Sequence, residues 1–106
     1  RGVERWADGD VYEGEYKAGK KEGRGVYRYA DGNVYDGEYK ADKREGRGVF
    51  RFADGDVDSG FYKQGAPVGE GVWWMADGQQ AVRLRDGEPV EEISLEEARQ
   101  TVERLW

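Results

Sequence analysis

The sequence from Tyr12 to Val34 reads YEGEYKAGKKEGRGVYRYADGNV, and it returns almost unchanged from Tyr35 to Val57 as YDGEYKADKREGRGVFRFADGDV. The period is 23 residues, with a looser third copy from Asp58 to Gln80 and a partial unit over residues 1–11. Repetition at a fixed short period is typical of stacked arrays, in which each unit buries its apolar side against its neighbours. The sequence therefore predicts a linear array followed by an end piece.

Each unit contains two segments with the alternation of a β-strand. In VYEGEYK, the residues Tyr12, Gly14 and Tyr16 share one side of the strand, and GRGVYRY places Gly25 and Tyr27 in the same way. Residues 17–22 read as a polar loop between the two strands. Each repeat is therefore predicted to be one β-hairpin.

The register follows from parity, because paired residues must share a face of the sheet. Keeping the aromatic residues on one face requires an odd number of residues in the turn at Ala30-Asp31-Gly32. We therefore predict a three-residue turn with a bulge at Gly32. The longer loop must be even, which would pair Tyr16 with Gly23, and likewise Tyr39 with Gly46 and Tyr62 with Gly69.

Chaining these registers predicts a glycine row across six strands, flanked by aromatic rows. We define the trough as this glycine floor with its aromatic banks, and we take it as the candidate partner-binding surface. Its residues are Tyr12, Gly14, Tyr16, Gly25, Tyr27, Tyr35, Gly37, Tyr39, Gly48, Phe50, Gly60, Tyr62, Gly71 and Trp73. Two interpretations remain open and are compatible: the rings cover the glycines as a thin core, or a ligand lies in the trough.

The C-terminal third departs from the repeat. A terminal strand and a turn-rich linker are expected over residues 81–92, followed by a capping helix over residues 93–106. Ser94 with Glu97 forms a capping box, and apolar residues follow at helical spacing. We predict that this helix lies on the face opposite the trough, against Phe61, Val72, Trp74, Val82 and Leu84. The alternative is that the helix occupies the trough itself.

Composition excludes several classes of function. The 106 residues contain neither Cys nor His, which removes thiolate and imidazole chemistry and the usual zinc ligands. Asp pairs such as Asp8/Asp10 are better explained by turn formation than by catalysis or calcium binding. We therefore expect no enzyme activity, no catalytic residues, no cofactor and no metal. The net charge of −6 argues against nucleic-acid binding.

The motif Tyr-x-Gly, followed by Gly-x-Gly and a glycine turn, resembles the MORN repeat (membrane occupation and recognition nexus). Tyr12/Gly14, Tyr35/Gly37, Gly23/Gly25, Gly46/Gly48 and Gly69/Gly71 carry the resemblance, whereas Asp58 replaces the expected Tyr in the third unit. The resemblance implies a mainly β fold: an elongated single-layer antiparallel sheet of consecutive hairpins, with one C-terminal helix added here. It also implies a scaffold for other proteins that sometimes dimerises.

Two classes of function remain open. The first is a protein–protein scaffold whose trough receives an extended peptide or an amphipathic helix. The second is a membrane-associating module in which basic loops contact anionic lipids weakly; its candidate residues are Lys17, Lys20, Lys21, Lys40, Lys43 and Arg44. Unpaired sheet edges near Gly2–Trp6 and Gln80–Arg85 predict some homodimerisation.

We expect a cytoplasmic protein, with association with the cytoskeleton or with membranes left open. Because the sequence begins without Met and midway through a unit, we also expect a piece of a longer protein.

Overall fold

The computed structural model describes residues 2–106, which form one open antiparallel sheet followed by a helix. Neighbouring strands follow chain order: β1 Gly2–Arg5, β2 Val11–Lys17, β3 Lys20–Arg28, β4 Val34–Lys40, β5 Lys43–Arg51, β6 Val57–Lys63, β7 Ala66–Trp74, β8 Ala81–Arg85 and β9 Glu88–Ile93, with α1 at Leu95–Leu105. The molecule measures 41 × 24 × 19 Å. The expected fold, an elongated single-layer sheet with one C-terminal helix, is confirmed. Within residues 2–106, no helix combines the length and apolarity needed to cross a membrane.

The short turns have the predicted form. The Gly32 amide donates to the Tyr29 carbonyl at 3.0 Å, and the Tyr29 amide donates to the Asn33 carbonyl at 2.9 Å. Three residues therefore lie between the paired positions, and Gly32 has a φ of +98°, which glycine adopts without steric cost. The odd turn length keeps the aromatic residues on one face, as parity requires.

The longer connections differ from the prediction. Ala18 and Gly19 form a two-residue turn with φ values of +52° and +79°, the pattern of a type I′ turn, and β3 begins directly afterwards at Lys20. Tyr16 pairs with Lys21 rather than Gly23, because a bulge places three residues of β3 opposite Glu15 alone. The predicted Tyr39–Gly46 and Tyr62–Gly69 pairs are wrong for the same reason. The bulge adds an even number of residues, so the faces are preserved.

The glycine row is confirmed. Direct cross-strand pairs join Gly14, Gly25, Gly37, Gly48 and Gly60 in that order. The row continues into β7, since a Cβ placed on Gly60 would lie 3.5 Å from the Cα of Gly71. The aromatic row beside it is also confirmed: Tyr12, Tyr27, Tyr35, Phe50, Asp58 and Trp73 pair in turn. We call the side of the sheet that carries these rows the front face, and the opposite side the back face.

The fourth turn changes the pattern, because it contains four residues instead of three. The Met75 amide donates to the Gln80 carbonyl at 2.9 Å, and Gly71 consequently pairs with Leu84 and Trp73 with Val82. Val82 and Leu84 therefore lie on the front face, and their predicted place on the back face is wrong. The expected linker after β8 is also a strand, β9, joined to β8 by a turn at Asp86-Gly87.

Helix α1 lies on the back face, as predicted. The Ser94 side chain accepts a hydrogen bond from the Glu97 amide at 3.0 Å, which confirms the N-cap. A buried cluster joins Ala98 to strand residues of the back face, with Trp74, Leu95 and Val102 packed around it: its members are Val72, Ala81, Ile93 and Ala98. The helix therefore covers the apolar end of the back face and leaves the front face open.

Candidate interaction site

Tyrosine rings of the chain itself cover most of the glycine floor. Tyr12 and Tyr35 are fully buried, with 0% of their surface exposed. The Tyr12 hydroxyl donates to the Glu15 carbonyl at 3.0 Å, and the Tyr35 hydroxyl donates to the Glu38 carbonyl at 2.9 Å. A Cβ on Gly37 would lie 2.6 Å from the Tyr35 Oη, so the ring fits only because glycine has no side chain. In the first two full repeats, a tyrosine ring of the chain itself therefore lies on the glycine floor.

Neighbouring tyrosines hold these two rings by edge-to-face contacts. Tyr12 contacts Tyr16 and Tyr39, and Tyr35 contacts Tyr39 and Tyr62, with ring centroids 5.3–5.4 Å apart. Such contacts add to the stability gained from burial alone. Burial raises the pKa of Tyr35, Tyr39 and Tyr62 above that of a free phenol. The bank of the trough that these tyrosines form is therefore a packed core.

A cation covers the ring cluster in each of these two repeats. Lys21 Nζ lies within 5.9 Å of four ring centroids, those of Trp6, Tyr12, Tyr27 and Tyr39, and 3.7 Å from Asp42 Oδ1. Arg44, one period later, lies 5.0 Å from the Tyr62 ring and 5.6 Å from the Tyr35 ring. Cations at this distance are attracted to aromatic faces. Sequence reasoning assigned Lys21 and Arg44 to lipid binding and missed this contact, which only the register reveals.

The outer bank of the trough is a continuous row of half-buried rings, which we call the outer row. Consecutive contacts have centroid distances of 4.5–5.9 Å and join Trp6, Tyr27, Tyr29, Phe50 and Phe52. Asp10, which lies after the first short turn, accepts from the Tyr27 hydroxyl at 2.9 Å and from the Ala30 amide at 2.8 Å. Asp56 binds Trp73 Nε1 and the Ala76 amide in the same way, at 3.0 and 2.7 Å. These carboxylates tie the first and third short turns to the next repeat, and the Asn33 side-chain oxygen does the same at the second. The rings of the row are thus held in place by the turns.

The third repeat lacks both the covering ring and the covering cation. Asp58 stands at the position of Tyr12 and Tyr35, and Pro67 stands at the position of Lys21 and Arg44. Gly60 accordingly has no ring near it: a Cβ there would meet only the backbone of β7, at 3.5 Å and beyond. A cavity of about 340 Å³ opens at this place, and we call it the Asp58 cavity.

Asp58 is the unusual group of this cavity. Its Oδ1 is buried without a hydrogen-bond partner in the described part of the chain. Burial, with a smaller contribution from the charge of Asp56, raises the pKa of the Asp58 carboxyl to about 6. Sequence reasoning noted this residue only as a departure from the repeat.

The remaining predicted lipid-binding residues lie at the type I′ turns. Lys17, Lys20, Lys40 and Lys43 are exposed, and they flank two consecutive turns on one rim of the sheet. They are therefore accessible, in contrast to Lys21 and Arg44. Within residues 2–106, no group of three or more acidic side chains is arranged to hold a metal ion.

Comparison with known proteins identifies the repeated unit. The family profile described as the MORN repeat matches residues 1–11, 12–34, 35–57 and 59–80. No individually curated protein matches the chain at a significant level. MORN repeats are in general modules for interaction with proteins or membranes. The four consecutive matches span most of the sequence, and each of the last three contains one hairpin of the sheet, so this chain belongs to the MORN-repeat family.

Proposed function

We propose that this chain is a non-catalytic interaction module that binds a peptide or an amphipathic helix of a partner protein across its front face. The observation that carries the proposal is the row of half-buried rings from Trp6 to Phe52, which presents rigid aromatic surface along one side of the sheet. Aromatic groups held in one conformation bind with little loss of conformational entropy, and they dominate many interfaces.

The packing of Tyr12 and Tyr35 changes where the partner would lie. Their rings occupy the floor above the glycines, so a partner would contact the outer row and the cations above the rings rather than the bare backbone. The position of helix α1 also favours the front face as the binding surface, because the helix already covers the back face of β7 and β8. Among the described residues, no helix covers the aromatic rows of the front face.

A peptide-display selection on the whole domain tests this proposal. Tyr29→Ser removes an outer ring, whereas Arg28→Ser changes its exposed neighbour on the back face. We expect selected peptides to lose at least about tenfold in affinity with Tyr29→Ser and to keep their affinity with Arg28→Ser. Circular dichroism of both variants confirms that they are folded. Equal affinities of the two variants for every selected peptide would refute the proposal.

Membrane association is the second candidate, and the exposed lysines at the type I′ turns favour it. Each surface lysine contributes about 1 kcal/mol to binding of an anionic membrane, but the net charge of −6 opposes this attraction. We therefore propose only weak lipid binding. Sedimentation with phosphoinositide vesicles should show little bound protein at physiological salt. Tight binding that is lost in the double variant Lys20→Glu/Lys43→Glu would instead make the membrane the principal ligand.

A further inference from the structure

On the front face, Lys21 and Arg44 each lie over aromatic rings, and these two sites define what a third site of the same kind needs. In the first, the Lys21 ammonium sits over aromatic rings and next to a carboxylate, with Nζ 3.7 Å from Asp42 Oδ1. In the second, the Arg44 guanidinium sits over the rings of Tyr35, Phe50 and Tyr62. One period further along the chain, the equivalent position holds Pro67 and supplies no cation.

The Asp58 cavity reproduces the surroundings of these cations. Phe52 and Trp73 line it at the places that Trp6 and Tyr27 take beside Lys21 two repeats earlier, and Leu84 also lines it. Asp58 adds a carboxylate where the earlier repeats have a phenol ring. None of the residues that line the cavity is basic, whereas Asp54 and Asp56 add two further negative charges beside it. The site therefore has the aromatic walls and the negative charge that suit a cation.

The hydrogen bonds around the cavity indicate which carboxylate would bind. Asp56 is occupied on both oxygens, by Trp73 Nε1 and by the Ala76 amide. Asp54 Oδ1 accepts from the Asp56 amide at 3.0 Å and belongs to the turn. Asp58 Oδ1 is buried and has no partner among the described residues. A buried acceptor without a donor is costly. Asp58 also lines the cavity, so a ligand there that donates a charged N–H to the Asp58 carboxylate would supply the missing donor.

We propose that the Asp58 cavity binds the side chain of a lysine or arginine from the partner protein, in the place that Lys21 and Arg44 occupy in the preceding repeats. The aromatic walls would contact the methylene groups and the charged end, and Asp58 would accept from the ammonium or guanidinium. The cavity of about 340 Å³ is large enough for one such side chain. This inference rests on the proposed function, since it names the chemistry of one partner residue at the end of the outer row.

Nuclear magnetic resonance of the whole domain tests the site without knowledge of the partner. The reporter is the indole N–H signal of Trp73, assigned with Trp73→Phe. The probes are the Nα-acetyl methylamides of lysine and arginine, with that of norleucine as the uncharged control and putrescine as a free diamine. We expect saturable shifts with the lysine and arginine probes and at least about tenfold weaker binding of norleucine.

Two variants give the test its specificity. Asp58→Tyr restores the residue of the other repeats and fills the cavity, so it should abolish binding of both cationic probes. Asp8→Asn removes the same charge from an exposed turn two repeats before the cavity and should leave binding unchanged. Equal binding of norleucine, binding that survives Asp58→Tyr, or no saturable shift with either amino acid probe would overturn the inference. Binding of putrescine alone would assign the cavity to free amines and would also overturn it.

Failure here is distinguishable from failure of the proposed function. Peptides that bind the Tyr29 surface but are insensitive to Asp58→Tyr would leave the front-face proposal intact and remove only the cation site. Conversely, cationic probes that bind while no peptide responds to Tyr29→Ser would retain the site and remove the wider interface.

Discussion

Single residues decide the packing of the front face, because each glycine of the row makes room for a defined atom group. A Cβ on Gly37 would lie 2.6 Å from both the Tyr35 Oη and the Arg47 carbonyl oxygen, and 2.7 Å from the Cα of Gly48. Two of these three neighbours are backbone atoms, which cannot move without distorting the sheet. The position thus requires glycine for two reasons: the tyrosine ring lies above it, and the backbone of the neighbouring strand lies beside it.

Gly37→Ala should therefore destabilise the domain by about 1–3 kcal/mol, the usual cost of overpacking. Gly60→Ala is the matched control, because its new Cβ would have its nearest neighbour at 3.5 Å, an ordinary contact. Thermal denaturation followed by circular dichroism should show a clear fall in melting temperature for Gly37→Ala and a small change for Gly60→Ala. Equal losses would mean that glycine is required in the row for another reason than the tyrosine ring.

Asp58 is the opposite case. The tyrosine ring of the other repeats is absent there, and the space that the ring would fill remains as the Asp58 cavity. Asp58→Tyr should stabilise the domain at pH 7.5 by about 1–3 kcal/mol, since it fills apolar space and removes a buried carboxylate without a donor. Asp58→Asn separates the two effects, because it removes the charge and adds no ring. Denaturant unfolding of both variants gives the free energies. A lower stability of Asp58→Tyr than of the natural sequence would show that the cavity cannot accept the ring.

At the scale of elements, the sequence predicts the hairpins well because the tyrosine and glycine positions repeat with a strand period. The three-residue turn at Gly32 follows from parity alone. The bulge at Gly23 could not be predicted in the same way, because an insertion of two residues leaves every side chain on the same face of the sheet. The bulge is stabilised by the Glu15 carboxylate, which accepts from the Arg24 amide at 2.6 Å. That contact has no counterpart in the hydrophobic pattern.

The misplaced side chains Val82 and Leu84 have a similar cause. One additional residue in the turn before β8 reverses the faces of that strand, and the degenerate sequence there offers no glycine pattern to reveal it. The site was predictable only in outline, since the residues of the trough are visible in the repeat. The cavity was not, because it depends on the coincidence of Asp58, Pro67 and the reversed face of β8.

Helix α1 is an element that depends on docking, because 11 residues form only a marginal helix alone. Ala98 is fully buried against the back face, whereas Gln100 is exposed. Ala98→Asp should lower the free energy of unfolding by about 3–5 kcal/mol, the range for a buried charge that has no partner. The exposed Gln100→Asp should change it little. Urea denaturation followed by tryptophan fluorescence measures both, and similar midpoints would contradict docking on this face.

An ionic cluster adds a pH-dependent contribution to the same docking. Glu70 of β7 pairs with Arg83 of β8 and with Arg104 of α1, at 3.1 Å for Arg104. Burial alone would raise the pKa of the Glu70 carboxyl, but the hydrogen bonds from Arg104 and Arg83 lower it overall. A depressed carboxylate pKa stabilises the fold above the pKa of the unfolded chain, and this stabilisation is lost as the pH falls through the folded value.

For the whole molecule, the open sheet leaves two edges. The outer side of β1 and the outer side of β9 have no neighbouring strand among the described residues. Val3 on β1 and Val90 on β9 are 54% and 57% exposed, and such edges pair readily with other chains. The predicted edge at Gln80–Arg85 is wrong, because β9 pairs with β8 and forms the edge instead. Homodimerisation through the β1 and β9 edges remains a proposal.

Sedimentation velocity over a range of concentrations should show reversible association. Val90→Lys places a charge on the β9 edge and should reduce the association. Val68→Lys, in the interior strand β7, adds the same charge away from both edges and serves as the control. A monomer at every concentration would rule out association through the edges.

The central claim is that the third repeat exposes an unfilled tyrosine position with a buried, unpartnered carboxylate. Its most direct test is the titration of the Asp58 carboxyl carbon by nuclear magnetic resonance, with Asp54 and Asp56 followed as the charged groups that face it. Burial should place the Asp58 midpoint near a pKa of about 6. The folded protein then holds this proton more tightly than the unfolded chain, whose Asp titrates near 4, so the contribution of Asp58 to stability rises as the pH falls from 7 towards 4. A midpoint near 4 would mean that water or another group already satisfies Asp58, and it would contradict the account.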